Sequence, residues 1–443
     1  MKIQLSDHFT YQRLLHFCLP SIVMMIFTSI YGVVDGLFVS NFVGKIPFAA
    51  INLVMPFIMI LGGFGFMIGT GGSALIAKTL GEGRHKLANR YFSMLIIMTV
   101  ILGFFLTTIG IVFARRVSIL LGATDVMLDD CFIYLRTVLL FISPFMLQNV
   151  FQSFLVTAQK PHAGLIVTII AGLTNMSLDA LFIVVFRWGV AGAALATGIS
   201  QCIGGLLPLI LFLGKNDSLL HLVPTRLEWR PFFLSCTNGM SELMGNISSS
   251  IVSMLYNFQL LNYAGENGIA AYGVLMYVQF IFIAVFFGYT IGVGPVIGYH
   301  YGAGNHAELK NLLRKSLKLN IITGISMTIL ANLFAGALSR IFVGYDPELY
   351  AMTKSAFHIF ALSFLVCGIN IFASAFFTAL NNGLVSAVIS FLRTLVFQVG
   401  SVLILPAFLG LTGIWLSNTF ADLMAMLISI IFLAAMRKQY HYA

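Results

Sequence analysis

Charge is what this chain most lacks. Its 443 residues carry 24 basic and 15 acidic side chains, 9% of the total, where a soluble globular protein carries about 25%. So few charges cannot clothe a water-soluble surface of this size, which excludes an ordinary cytoplasmic enzyme. Hydrophobic residues make up 59% and the mean hydropathy is +0.98, the reverse of the balance that intrinsic disorder requires. Cysteine is sparse as well. Cys18, Cys131, Cys202, Cys236 and Cys367 fall in or near apolar runs without a CxxC pair, so they read as small buried hydrophobes rather than a metal or redox centre. The nine histidines form no HExxH or other metal-binding pair, and His300 and His306 read as solvated loop residues. No short apolar segment with a small-residue cleavage motif opens the chain, so no removable signal peptide is expected.

Long apolar runs are what the chain has instead. A membrane-spanning helix needs about 20 mostly apolar residues, and scanning for such runs gives twelve. They cover roughly 14–39, 48–77, 91–114, 131–157, 163–186, 190–213, 232–262, 269–299, 316–342, 351–380, 384–408 and 412–435, numbered here as spans 1 to 12. A β-barrel would show alternating segments of about ten residues, so the fold class is an all-α polytopic membrane protein. Twelve spans return both termini to one side. That side collects 16 Lys and Arg, against six on the other, namely Lys45, Arg115, Arg116, Arg187, Arg340 and Lys354. Short loops follow the positive-inside rule, so both termini are expected in the cytoplasm. The net charge of +9 thus reflects orientation signals scattered between spans rather than a nucleic-acid surface.

An internal repeat runs through the chain at a constant shift of 221 residues. Val43-Gly44 falls on Ala264-Gly265, and Ala49-Ala50 on Ala270-Ala271. Gly81-Glu82-Gly83 falls on Gly302-Ala303-Gly304, Thr157-Ala158 on Thr378-Ala379, and Gly189-Val190-Ala191-Gly192 on Gly410-Leu411-Thr412-Gly413. Each repeat holds six spans, an even number, so the two share one orientation and are related by a pseudo-twofold axis along the membrane normal. The expected organisation is an N-terminal six-helix bundle over 1–213, a polar cytoplasmic linker over 214–231, and a C-terminal bundle over 232–443. Paired bundles of this kind can rock around a central cavity, the geometry of alternating access.

An ionisable group inside a span costs at least about 2.5–3.5 kcal/mol on insertion scales, so those that remain are candidates for function. Four acids do: Asp35, Asp179, Glu242 and Asp422. Asn175 precedes Asp179 by one helical turn and shares its face. Desolvation disfavours the charged form of a carboxyl, which lets such a group take up and release protons near neutral pH. Asp, Asn and Thr oxygens also suit a hard cation such as Na⁺. Pro20, fifteen residues before Asp35, is expected to kink span 1. Arg393 and Asp422 lie near mid-span in neighbouring helices and are expected to pair. Tyr31 and Tyr256 border polar stretches and are candidate cavity residues, since aromatic faces attract organic cations. Gly69-Thr70-Gly71-Gly72-Ser73-Ala74 fits a nucleotide-binding glycine pattern but lies inside an apolar span, where small residues permit close packing instead. Asn175-Met176-Ser177 and Asn246-Ile247-Ser248 match the glycosylation pattern but lie within spans.

These residues resemble the multidrug and toxic compound extrusion (MATE) family. The resemblance covers essentially the whole chain through the six-plus-six repeat, the Pro20…Asp35 spacing and Gly189-Val190-Ala191-Gly192-Ala193-Ala194 at the start of span 6. It is nearest to a prokaryotic branch with a cation-sensitive acidic cluster in the first bundle. The resemblance implies that Asp35, Asn175, Asp179 and Thr197 form that cluster and hold H⁺ or Na⁺. It also implies that Asn149 and Gln152 line the cavity of that bundle. Members of another branch use acids of spans 7 and 10. Here span 10 has none, and Glu242 lies near the start of span 7, so no such second coupling site is expected. The resemblance further implies secondary active efflux of small organic, often cationic, compounds, with no cofactor. The protein would act as a monomer in the cytoplasmic (inner) membrane of a prokaryote. Arg393 and Asp422 are then weak candidates for the substrate cavity.

Two other readings compete. A flippase for lipid-linked or polysaccharide precursors would need a large site rich in positive charge to meet phosphates, and Arg393 is nearly alone among mid-span cations. A membrane enzyme would need a nucleophile or metal constellation such as GxSxG or HxxxH, and the sequence offers none.

Overall fold

The computed structural model describes residues 3–214 and 217–442. Lys2, the linker residues Lys215 and Asn216, and the side chain of Lys45 lie outside the described residues. Among the described residues every regular element is helical. Span 1 is Tyr11–Phe42, span 2 Lys45–Gly81, span 3 His85–Leu120 and span 6 Gly189–Leu213. Span 1 begins where Thr10 Oγ1 accepts the Arg13 amide at 3.3 Å, which satisfies one of the free donors of the first turn. A helix of 36 residues is about 54 Å long, nearly twice a hydrocarbon layer of about 30 Å. Such spans reach beyond the membrane.

Among the described residues ten helices are long and apolar enough to cross a membrane. An eleventh span is bent by 57° between Leu128–Leu139 and Ile142–Thr157 and forms span 4. The twelfth emerges from Met240–Gly302, whose 63 residues would make a rod of about 95 Å. Gly265 divides it with φ 61° and ψ −151°, a conformation essentially confined to glycine. The two parts are spans 7 and 8. Span 9 is His306–Val343, span 10 Pro347–Ala379, span 11 Gly383–Leu409 and span 12 Leu411–Ala435. The structure moves the start of span 7. The expected run from 232 is interrupted after a short helix, Trp229–Asn238, and Gly239 separates the two. A Cβ on Gly239 would lie 1.9 Å from the Met67 carbonyl oxygen of span 2, so the break falls where two backbones touch.

The repeat is visible in the backbone. Left-handed glycines recur in pairs at the 221-residue shift: Gly44 with Gly265, Gly83 with Gly304, and Gly189 with Gly410. The fifth span of each half carries one π-helical segment, Ala180–Val185 and Leu392–Phe397. The fourth span of each half is interrupted too, at 140–141 and at the 3₁₀ turn Ala361–Ser363.

The halves touch at the end that carries the basic loops and part toward the other. A Cβ on Gly81 would meet the Tyr299 carbonyl, and one on Gly302 the Lys78 carbonyl, each at 2.0 Å. Span 1 meets span 8 where Cys18 faces Gly292 and Ile22 faces Gly288. Pro20 lies between these contacts. It is buried, and the helix continues unbroken through it. Farther out, Ser29 Oγ still donates to the Phe280 carbonyl at 3.3 Å. Beyond that, Gly32 and Gly273 face open space.

At the basic end the segment before span 1 is pinned to the second half. Glu308 accepts the Phe9 amide at 2.9 Å and meets His8 Nδ1 at 2.6 Å. The Phe9 carbonyl in turn accepts Lys315 Nζ at 2.6 Å. Leu5, Phe9, Leu14, Phe17 and Cys18 share one apolar cluster with Val293, Ile297, Leu309, Phe376 and Tyr442. His300, expected in a solvated loop, is therefore buried, because this segment covers it. The segment after span 6 has no regular secondary structure over 217–228 and lies along the start of span 3. There the Val223 amide donates to Ser93 Oγ at 2.8 Å and the His221 amide to Asn89 Oδ1 at 3.1 Å. Residues 229–231, expected in this linker, are helical.

Candidate functional site

Spans 1, 4, 5 and 6 bring polar groups together inside the first half. Span 5 runs over Pro161–Asp179 and passes into its π segment at Ala180. Asp179 thus closes the last regular turn, where a widened helix re-aims side chains. Asp179 and Asn175 are fully buried on one face. Asp35 of span 1 reaches both of them. Gly172, two turns back from Asp179, lets span 1 approach, since a Cβ there would lie 2.5 Å from the Phe27 ring. Tyr31 lies against the same glycine and beside Gln148 of span 4. Tyr134 comes in from the upper part of span 4 beside Thr197 of span 6.

These groups are almost all acceptors. Asp35 Oδ1, both Asp179 oxygens, Asn175 Oδ1 and Thr197 Oγ1 are buried without a hydrogen-bond partner. A buried acceptor left unsatisfied costs about 1–3 kcal/mol, and more when it is charged. Two carboxyls facing each other disfavour joint ionisation, and a proton or a cation between them relieves their repulsion. Among the described residues no group of three His, Cys, Asp or Glu is placed to hold a metal ion. The donor set here, carboxylate, amide and hydroxyl oxygen, fits a hard monovalent cation or a proton rather than a transition metal. The structure thus gathers all four residues Asp35, Asn175, Asp179 and Thr197.

The other candidates are placed differently. Asn149 is buried, and its Nδ2 donates to the Gly62 carbonyl of span 2 at 3.1 Å. It ties two helices together. Gln152, one turn from Gln148, lines a small cavity with Gln148, Thr168 and Met24. Tyr256 is buried against Tyr272, with ring centroids 4.8 Å apart and planes within 5°, so its face is not open to a ligand. Arg393 and Asp422 pair in the second half, Nε to Oδ1 at 2.8 Å. Asn370 donates to the Asp422 carbonyl at 2.8 Å and accepts from Ser429 Oγ at 3.3 Å. Glu242 is part-buried within electrostatic range of Arg393. Gln148, Gln201 and Tyr134 were not singled out from the sequence. The signal available was two polar pairs at i, i+4 within apolar spans, Gln148–Gln152 and Thr197–Gln201.

Duplicated apolar spans with a buried acid pair in one half define a polytopic membrane transporter rather than an enzyme. The MatE family model matches this chain twice, over residues 20–181 and 243–404. The chain belongs to the MatE family. Among its relatives, the "Multidrug export protein MepA" of Staphylococcus haemolyticus (strain JCSC1435) is 24% identical over 436 residues, covering 97% of this chain and 94% of that protein. The protein of the same description from Staphylococcus saprophyticus is 26% identical over 427 residues, covering 94% of this chain and 93% of its own length. Among solved structures, one described as "Crystal structure of MATE in complex with MaL6" superposes with a TM-score of 0.93 at 21% identity, covering 98% of both chains.

Proposed function

We propose that this chain is a secondary active multidrug exporter. It exchanges small organic, often cationic, compounds for inward-moving H⁺ or Na⁺ by alternating access. The two moving units are residues 1–213 and 232–443, joined by 214–231. The basic end is the cytoplasmic end, so both termini lie in the cytoplasm of a bacterium, and one copy of the chain suffices. The observation that carries this reading is the facing pair Asp35 and Asp179, whose buried oxygens lack donors. A proton or cation neutralises the pair, and its release restores mutual repulsion between the carboxyls, the differential interaction that an ion needs to bias two conformations. The halves are close-packed at the basic end, which corresponds to a state open to the outside. A flippase reading is disfavoured because Arg393 is already engaged by Asp422 and does not present a free charge to phosphate.

The deciding experiment is export of ethidium from proteoliposomes under an imposed proton gradient and, separately, an imposed sodium gradient. Ethidium movement driven by one gradient, and its absence in Asp35→Asn and Asp179→Asn, is expected. Ethidium movement by Asp35→Asn at the unaltered rate would overturn the role of that residue. Transport of a labelled lipid precursor in place of ethidium would favour the flippase.

A further inference from the structure

Below the acid pair, toward the basic end, the first half buries polar groups that the pair does not account for. Gln148, Gln152 and Gln201 are 6%, 4% and 7% exposed, and each leaves its Oε1 without a hydrogen-bond partner. Three unpartnered amide carbonyls in one bundle carry a cost that packing alone does not offset. Helical spacing puts them in a column. Spans 4 and 6 run toward the basic end, so Gln148 leads to Gln152 and Thr197 to Gln201, each one turn lower on the same face. Span 1 runs the other way, and Tyr31 lies one turn below Asp35 and beside Gln148.

The space for this column is built in. Gly204 of span 6 admits the Gln148 side chain, since a Cβ there would lie 2.6 Å from its carboxamide carbon. Immediately below, Gln148, Gln152 and Thr168 supply the polar lining of an otherwise apolar cavity of about 10 Å³, room for about one water. This cavity lies among spans 1, 4, 5 and 6 and not between the halves.

We propose that this column is the route by which the coupling cation leaves Asp35 and Asp179 for the basic-end solution, inside the first half and apart from the cavity that carries substrate. The Oε1 atoms of Gln148, Gln152 and Gln201 receive it in turn, as acceptors toward a hydronium ion or as ligands toward Na⁺, the same hard-oxygen chemistry in either case. The inference rests on the antiport reading proposed for the acid pair.

The test uses the full-length protein in proteoliposomes with ethidium as the probe. Two activities are compared in Gln148→Leu, in Gln201→Leu and in the double variant. One is net ethidium movement driven by a proton gradient, repeated with a sodium gradient. The other is ethidium-for-ethidium exchange with no ion gradient, which needs the rocking motion but no net ion release and also reports that the protein is folded. Net driven movement is expected to fall about tenfold or more, the effect of losing an acceptor for a charged species from the rate-limiting path. Exchange is expected to stay within about twofold of the unaltered protein. The gradient whose response is lost identifies the ion. Gln148→Asn, which keeps the carbonyl, is expected to recover part of the driven rate. Driven movement that survives the double variant would overturn the route, as would exchange and driven movement falling together. Asp35→Asn measured alongside separates the two levels: if it moves ethidium normally, the antiport reading fails, whereas if it is inactive while the glutamine variants are normal, only the route fails.

Discussion

The two halves of the chain share a frame and differ in what they bury. Each has six spans, an interrupted fourth span, a π segment in the fifth, and left-handed glycines at matching positions. In the first half part-buried Asp35 faces buried Asp179, and Asp35 Oδ1 and both Asp179 oxygens are buried without a hydrogen-bond partner. In the second half Asp422 is neutralised by Arg393 at 2.8 Å and held by Asn370. An acid already paired with a fixed cation has little to gain from binding a mobile one. Duplication therefore supplies the scaffold twice, while among the described residues the buried carboxyl oxygens without a partner, Asp35 Oδ1 and both of Asp179, lie in the first half.

The comparison can be broken at several points. The largest effect is expected from Asp35→Asn or Asp179→Asn, which should lower gradient-driven export by about 100-fold or more, in the range seen when a positioned proton-transfer group is removed. Export from proteoliposomes checks this, and size-exclusion behaviour in detergent should remain that of the unaltered protein. Next comes Arg393→Met. It leaves Asp422 buried and unpaired, so a stability loss of about 3–5 kcal/mol is expected, read as a lowered Tm in detergent. Adding Asp422→Leu should recover most of that loss and restore driven export. If the double variant regains stability yet stays inactive, the second half has a coupling role that this comparison denies it.

Smaller effects test the closed end. Gly302→Ala places a methyl group 2.0 Å from the Lys78 carbonyl and is expected to cost about 1–3 kcal/mol by overpacking. It should shift the protein away from the state closed at the basic end. Cysteine labelling of span 8 from that side reports the shift, and unchanged labelling would show that the contact is not part of the closure. The smallest change is Glu308→Gln, which weakens the acceptor for the Phe9 amide and His8. A loss of about 1.5 kcal/mol is expected for a hydrogen bond to a charged group, visible as faster proteolysis before Tyr11.

Much of this arrangement is legible in the sequence, and the parts that are not share a cause. Twelve apolar runs, the 221-residue repeat and the spacing of Asn175 and Asp179 are local signals, set by helix period and by the cost of charge in lipid. Contacts between distant segments leave no such trace. The sequence does not show that Asn149 donates to the Gly62 carbonyl of span 2. Tyr256 reads as a cation-binding face until Tyr272 covers it. The linker's last residues and the break at Gly239 look continuous with their neighbours, because what fixes them is the backbone of span 2. The buried glutamines fall in between. Their i, i+4 spacing is present in the sequence, but only the packing of Gly204 against Gln148 shows that they share one column.

The pinning of the segment around Phe9 to Glu308 and Lys315 also bears on how the molecule is made. The segment around Phe9 has partners some 300 residues later in the chain. At about 5–20 residues per second, that stretch waits for roughly 15–60 s before Glu308 is synthesised. Through that interval Leu5, Phe9 and Phe17 have no apolar surface of their own chain to cover. The first bundle is therefore made before the residues of the second that pin this segment.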